Sequence, residues 1–232
     1  MGIRLEDFSI ITNINIMLMC SLLKKEIEKH LLLYGVVYVI EPTGALILAD
    51  GRSCTVSDYK VIPETVHIKN GAFLNCTIIE SVDMSTSQVN SIGSLAFFGC
   101  ENLKAIHFSE YIENIGEWAF NRCRLKKMDL PAGLKNIGAG AFAINAEIEE
   151  IIIPDGVTRI DNLTFQYCSG LARIYIPPSI SSIGKYAFWQ SNSLKTIFVK
   201  RGYERRIKYR LPWGLKAVSY THLRAHETVL DL

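Results

Sequence analysis

The sequence predicts an α/β repeat solenoid: a coil with a short parallel β-sheet along one face and short helical or irregular segments along the other. Three periodic features carry the prediction. A phenylalanine recurs at Phe73, Phe97, Phe120, Phe142, Phe165 and Phe188, at intervals of 24, 23, 22, 23 and 23 residues. An isoleucine stands five residues before each, at Ile68, Ile92, Ile115, Ile137, Ile160 and Ile183. An apolar triplet follows each phenylalanine in the second half of the turn. A period of this length marks units too small to bury an apolar face alone, which stack to share one core.

Each turn divides into two parts. In the first, glycine follows the isoleucine at Gly93, Gly116, Gly138 and Gly184, and alanine precedes the phenylalanine in five turns, Thr164 being the exception. In the second, the triplets are Ile79/Val82/Met84, Leu103/Ile106/Phe108, Leu125/Met128/Leu130, Ile148/Ile151/Ile153, Leu171/Ile174/Ile176 and Leu194/Ile197/Val199. The last two members alternate, as in a strand with one buried face. Pro131, Pro154 and Pro177 follow at once and end the strand, because proline cannot donate to a continuing ladder. The Ile-Gly-x-x-Ala-Phe stretch closes the turn as a short helix or irregular segment.

The ends read differently. Residues 1–34 form an N-terminal segment with a helix over 17–33, closed by Gly35 and loosely amphipathic through Leu22, Ile27 and Leu31. Residues 35–65 read as a capping β-hairpin, with Val36–Ile40 and Ala45–Ala49 flanking Glu41-Pro42-Thr43-Gly44. Tyr203–Leu211 reads as a short basic helix before Pro212. Val218–Thr228, VSYTHLRAHET, resembles a translated sequencing adapter, so residues 218–232 are expected to be an artefactual tail. His222 and His226 within it are given no metal role.

The segments IPDGVTRIDNLTFQYCSGLARIYIP and LPAGLKNIGAGAF resemble the BspA-like leucine-rich repeats. The resemblance covers about Val66 to Val199 and implies a right-handed coil with six repeats over 66–199 and a C-terminal cap over 200–217. It also implies a cell-surface or secreted protein that binds other proteins. The segment Phe8–Leu23 is interrupted by Ser9, Thr12, Asn13 and Asn15 and makes a poor signal peptide, which leaves a cytoplasmic location open.

Composition narrows the class. The chain of 232 residues is 49% hydrophobic and carries a net charge of +2, which excludes disorder as the default and favours no charged partner. No apolar run reaches transmembrane length, no nucleic-acid motif accompanies the basic residues around Lys200–Arg210, and six cysteines are too few for a disulfide framework. Cys76, Cys100, Cys123 and Cys168 each lie three residues after the repeat phenylalanine. They read as small buried packing residues and reduced thiols, not as metal ligands, since no close Cys pair exists. Asn145 and Ser191 at the same position read as tolerated variants.

The strand position between the last two apolar residues gives Asp83, His107, Asp129, Ile152, Tyr175 and Phe198, expected to line one exposed face. Asp83, His107 and Asp129 raise a remote hydrolase or metal reading, weakened by the lack of a nucleophile beside His107. Ile152, Tyr175 and Phe198, flanked by Arg173 and Lys195, form an apolar stripe of the kind that anchors a protein partner. The reading is a non-enzymatic, monomeric protein-binding module for adhesion or host and cell interaction, without cofactor or metal; the alternative is an intracellular interaction scaffold.

Overall fold

The structure is a computed structural model that describes residues 21–203 and 216–220. It opens with a helix, α1, over residues 21–34. The helix ends where Gly35 turns left-handed (φ 65) and returns its N–H to the carbonyl of Leu31 at 3.1 Å. A side chain at Gly35 would also strike the carbonyl of Ser53. Strands β1 (Val37–Ile40) and β2 (Leu46–Asp50) then pair antiparallel as a hairpin. The predicted basic helix at Tyr203–Leu211 and most of the predicted tail lie outside the described residues.

Beyond the hairpin the chain coils. One ladder carries the repeat isoleucines and runs in parallel from β2 through β4 (Thr65–Ile68), β6 (Ser91–Ile92), β8 (Asn114–Ile115) and β9 (Asn136–Ile137). It resumes as β11 (Arg159–Ile160) and β13 (Ser182–Ile183). The other carries the predicted strands: β3 (Asp58–Lys60), β5 (Ser81–Asp83) and β7 (Ala105–His107), then β10 (Glu150–Ile152), β12 (Arg173–Ile176), β14 (Thr196–Lys200) and β15 (Lys216–Tyr220). The leucine-rich-repeat coil expected from the sequence is therefore present, with hydrogen-bonded turns on the side opposite the longer strands. β15 crosses the boundary set at residue 218, since Phe198 pairs with Val218 and Lys200 with Tyr220.

A third set of bonds runs along those turns. The N–H groups of Gly71, Phe73 and Asn75 bond to the carbonyls of Ser94, Ala96 and Phe98 in the next turn at 2.9, 2.6 and 2.7 Å. The pattern repeats from Leu95, Phe97 and Gly99 to Glu117, Ala119 and Asn121. It requires left-handed backbone two residues after every repeat phenylalanine, at Asn75, Gly99, Arg122, Ile144, Tyr167 and Gln190, and in most turns two residues before it. A side chain in this conformation costs about 1–2 kcal/mol, a cost that Gly71, Gly99 and Gly140 escape.

The core is a column. Phe73, Phe97, Phe120, Phe142, Phe165 and Phe188 stack in sequence with ring centroids 5.0, 5.1, 5.5, 5.8 and 5.8 Å apart and planes within 9°. The column starts at Gly51, which takes the phenylalanine position one turn earlier; a Cβ there would lie 2.1 Å from the ring of Phe73. The sequence pattern begins at Val66, but the coil begins a turn before it. The repeat glycines allow close approach: a Cβ at Gly93, Gly116, Gly138 or Gly184 would lie 2.4–2.5 Å from a backbone nitrogen of the preceding turn.

One turn is short. Leu125 stands two positions after Cys123, where in the other turns the leucine or isoleucine stands three positions after the cysteine position. In longer turns the leucine N–H bonds back to that position's carbonyl, as Leu103 does to Cys100 (2.9 Å) and Leu171 to Cys168 (3.1 Å). Leu125 cannot close that bond, and it donates instead to Oδ1 of Asn145 in the next turn at 3.2 Å. The same turn forms no strand at Met128, so the longer ladder is interrupted between β7 and β10.

Candidate interaction surface

The cysteine position is a hydrogen-bonding column. The thiols of Cys100, Cys123 and Cys168 donate to the carbonyls of Phe73 (3.0 Å), Phe97 (3.2 Å) and Phe142 (3.2 Å), each in the turn before. Asn145 Nδ2 and Ser191 Oγ make the equivalent bonds to Phe120 (2.7 Å) and Phe165 (2.6 Å). These residues are alike in being donors, which sequence reading missed by treating the position as apolar. Burial raises the thiols of Cys54, Cys100 and Cys123 above their ordinary value and pushes Cys168 up to about 12. The five described cysteines are buried and free, so the column holds the fold and offers no accessible thiolate.

The acidic row is split. Asp83 and His107 are paired neighbours in β5 and β7. Burial pulls the carboxyl of Asp83 upward, but hydrogen bonds from the N–H (2.9 Å) and hydroxyl (2.6 Å) of Ser85, with Lys60 and His107 nearby, hold it below the usual carboxylate range. Asp129 sits outside the sheet in the short turn, exposed and 3.6 Å from Lys127. Among the described residues no group of three or more His, Cys, Asp or Glu is placed to hold a metal ion.

The apolar stripe differs from its expected form. Ile152, Tyr175 and Phe198 do align in register across β10, β12 and β14. Ile152 is 43% exposed, but Tyr175 is 2% exposed and Phe198 is half-buried. Tyr175 lies on an inner strand, and the Phe198 ring stacks on it at 4.8 Å with the planes 20° apart. Arg173 is engaged by the carboxylate of Glu150, and Lys195 is exposed. The face is thus not an open row of three exposed anchors, because Tyr175 is covered.

A cluster of exposed aromatics lies elsewhere, on the turns of the last repeats. Trp189 is 50% exposed and Tyr167 44%, and Tyr186 is exposed beside them. Trp189 lies 6.0 Å from Tyr167 and 5.8 Å from Tyr186, with planes tilted by 44° and 51°. Lys185 Nζ sits 5.1 Å over the Tyr186 ring. Exposed Ile144 occupies the turn before, at the same left-handed position as Tyr167. Ile144 and Tyr167 stand two places after a repeat phenylalanine, Trp189 one place after and Tyr186 two places before, positions that show no periodic chemistry.

At the other end, α1 packs over the first turn through Leu23, Ile27 and Tyr34. A cavity of about 290 Å³ lies between α1 and β3, lined by Glu26, Lys29, His30, Asp58, Tyr59 and Lys60 among others. Among the described residues no helix is long and apolar enough to cross a membrane.

No curated protein sequence matches the chain. Among solved structures it is similar to the leucine-rich repeat protein TpLRR of T. pallidum, at 21% identity and a TM-score of 0.55 over 79% of this chain and 95% of that one. It is also similar to a leucine-rich cell surface protein of Faecalibacterium prausnitzii A2-165, at 21% identity and a TM-score of 0.54 over 75% of this chain and 40% of that one. The pneumococcal vaccine antigen PcpA matches at 17% identity and a TM-score of 0.67, over 81% of this chain and 48% of that one. The chain thus spans less than half of the last two, and at these identities the likeness shows the fold. The model of the BspA type leucine rich repeat region matches residues 66–200 in six copies. With more than half of its length matched turn for turn, the chain belongs to the BspA-type leucine-rich repeat family.

Proposed function

We propose that the chain is an adhesion module that binds a protein partner at the cell surface, and that Ile144, Tyr167, Tyr186 and Trp189 form the contact area. One observation carries the reading. Ile144 and Tyr167 hold left-handed backbone, where glycine or asparagine is cheaper, and both turn their side chains to solvent. A bulky side chain there leaves more than two fifths of its surface in solvent, and exposed clustered aromatics are what protein interfaces use as anchors. Ile152, with Phe198, Arg173 and Lys195, offers a smaller second contact on the strand side. Surface display is supported by the similar proteins, one a leucine-rich cell surface protein and another a vaccine antigen.

The test uses the purified chain against extracellular-matrix proteins and, in parallel, cytosolic proteins. Binding to a matrix protein that falls at least tenfold in a Tyr167→Ser/Trp189→Ser double variant, with unfolding unchanged, is the expected result. Undiminished binding in that variant rejects the contact area. Selective binding to cytosolic proteins favours an intracellular scaffold.

A further inference from the structure

The cap helix is fastened by a polar relay as well as by apolar contacts. His30 is 5% exposed, and its ring meets Tyr34, Tyr38 and Tyr59 edge to face at centroid distances of 5.0, 5.7 and 5.5 Å. Its Nδ1 lies 2.6 Å from the Tyr59 hydroxyl, which lies 2.8 Å from the Tyr38 hydroxyl. The N–H of Ile62 donates to Tyr38 at 3.3 Å. At the other end, His30 Nε2 lies 3.3 Å from Glu26 Oε1.

The Glu26 end fixes the direction of the relay for a neutral imidazole: the carboxylate can only accept, so Nε2 carries the proton and Nδ1 accepts. Tyr38 therefore donates to Tyr59, Tyr59 donates to Nδ1 of His30, and Nε2–H of His30 donates to Glu26. Every link is satisfied with the imidazole neutral. A second proton can enter only at Nδ1, the atom that accepts from Tyr59. It breaks the 2.6 Å bond or forces the tyrosines to reverse, and it places a cation in an enclosure of three aromatic rings.

The charges around His30 do not compensate. Glu26 on its own helix favours the cation, and Lys29 opposes it. Across the cavity, Asp58 and Lys60 of β3 offer one charge of each sign. The phenols of Tyr38 and Tyr59 remain neutral, since burial pushes Tyr38 up to about 12 and Tyr59 higher still. Burial outweighs Glu26 and holds His30 below its ordinary value of 6.5. The cavity beside the ring admits water, so protons can reach it.

We propose that the Ile62–Tyr38–Tyr59–His30–Glu26 relay makes the docking of α1 acid-sensitive, the neutral imidazole latching the helix to the first turn and the imidazolium releasing it. Release uncovers Tyr59, whose ring lies 5.8 Å from Phe73 at the head of the phenylalanine column, so acid exposes the aromatic end of the coil. Because the docked imidazole binds its proton more weakly than the released one, docking is full above pH 6.5. It weakens as pH falls from there toward the docked value, and levels off below it.

Hydrogen exchange on the whole chain between pH 7.5 and 5.0, corrected for the chemical pH dependence of exchange, tests the proposal. Exchange within 21–34 is expected to rise by up to about tenfold per pH unit below 6.5, while β5 through β14 hold their protection. His30→Gln, whose amide can accept from Tyr59 and donate to Glu26, is expected to flatten the response, and His67→Gln to leave it. A flat wild-type profile, or an unchanged acid response in His30→Gln, overturns it. If His30→Gln fails to dock at pH 7.5, titration of the His30 ring by NMR in the wild type decides, and a pKa at or above 6.5 overturns the proposal.

Discussion

Asn145 holds two turns at once: its Nδ2 donates to the carbonyl of Phe120 at 2.7 Å and its Oδ1 accepts from the N–H of Leu125 at 3.2 Å. Both partners belong to the turn before, the one that is a residue short. Asn145→Ser keeps a donor but strands the Leu125 N–H, and is expected to cost about 1–3 kcal/mol in urea unfolding. Asn145→Leu strands both groups and should cost more.

The rest of the column is expected to discriminate by hydrogen bonding, not by size. Cys100→Ser retains a donor toward Phe73 and should change stability by less than about 1.5 kcal/mol. Cys100→Val, of similar volume, loses that bond and leaves the carbonyl with the N–H of Cys76 alone at 2.9 Å, which should cost about 1 kcal/mol more than serine does. Equal losses in the two variants would assign the column to packing alone.

The same burial predicts silent thiols. Cys54, Cys76, Cys100, Cys123 and Cys168 are buried, and Cys168 loses its proton only near 12. A thiol reagent at pH 8 should leave these five unmodified in the folded chain, and modify them once denaturant is added. Rapid native labelling at any of them would show that the turns open locally.

The phenylalanine column is the largest apolar commitment of the fold. Phe142 is fully buried between Phe120 and Phe165. Phe142→Ala should destabilise by about 3–5 kcal/mol, and Phe142→Leu by about 1.5 kcal/mol or less. Calorimetric or urea unfolding distinguishes the two.

The left-handed positions predict a trade of stability against binding. Ile144→Gly relieves the conformational cost at φ 59 and removes a side chain that is 42% exposed. A gain of about 0.5–1 kcal/mol is expected in unfolding, together with weaker partner binding. A loss of stability would show that Ile144 packs more than its exposure indicates.

The repeat was legible because stacking forces the same side chain into the same place every turn. Phe73 through Phe188 and their isoleucines therefore appear as a period. Other features were hidden for physical reasons. Gly51 heads the column but has no ring to extend the pattern. Cys100, Asn145 and Ser191 look unrelated until the carbonyl each one meets is known. Tyr175 shares a strand position with Ile152, yet the ring of Phe198 lies over it, a relation set by the neighbouring strand. The backbone handedness at Asn75, Arg122 and Tyr167 left no trace, because residues of unlike chemistry occupy one conformation.

The short turn carries a lesson about length. A residue lost between Cys123 and Leu125 is made good by a side chain twenty positions later, so repair in a coil acts between neighbours in space that are distant in the chain. Loss and remedy should then be inseparable. Restoring one residue before Leu125 would make Asn145 replaceable by serine or cysteine, and the same replacement in the short turn would not be forgiven. A coil built this way can drift in length one turn at a time, provided that the next turn supplies an amide.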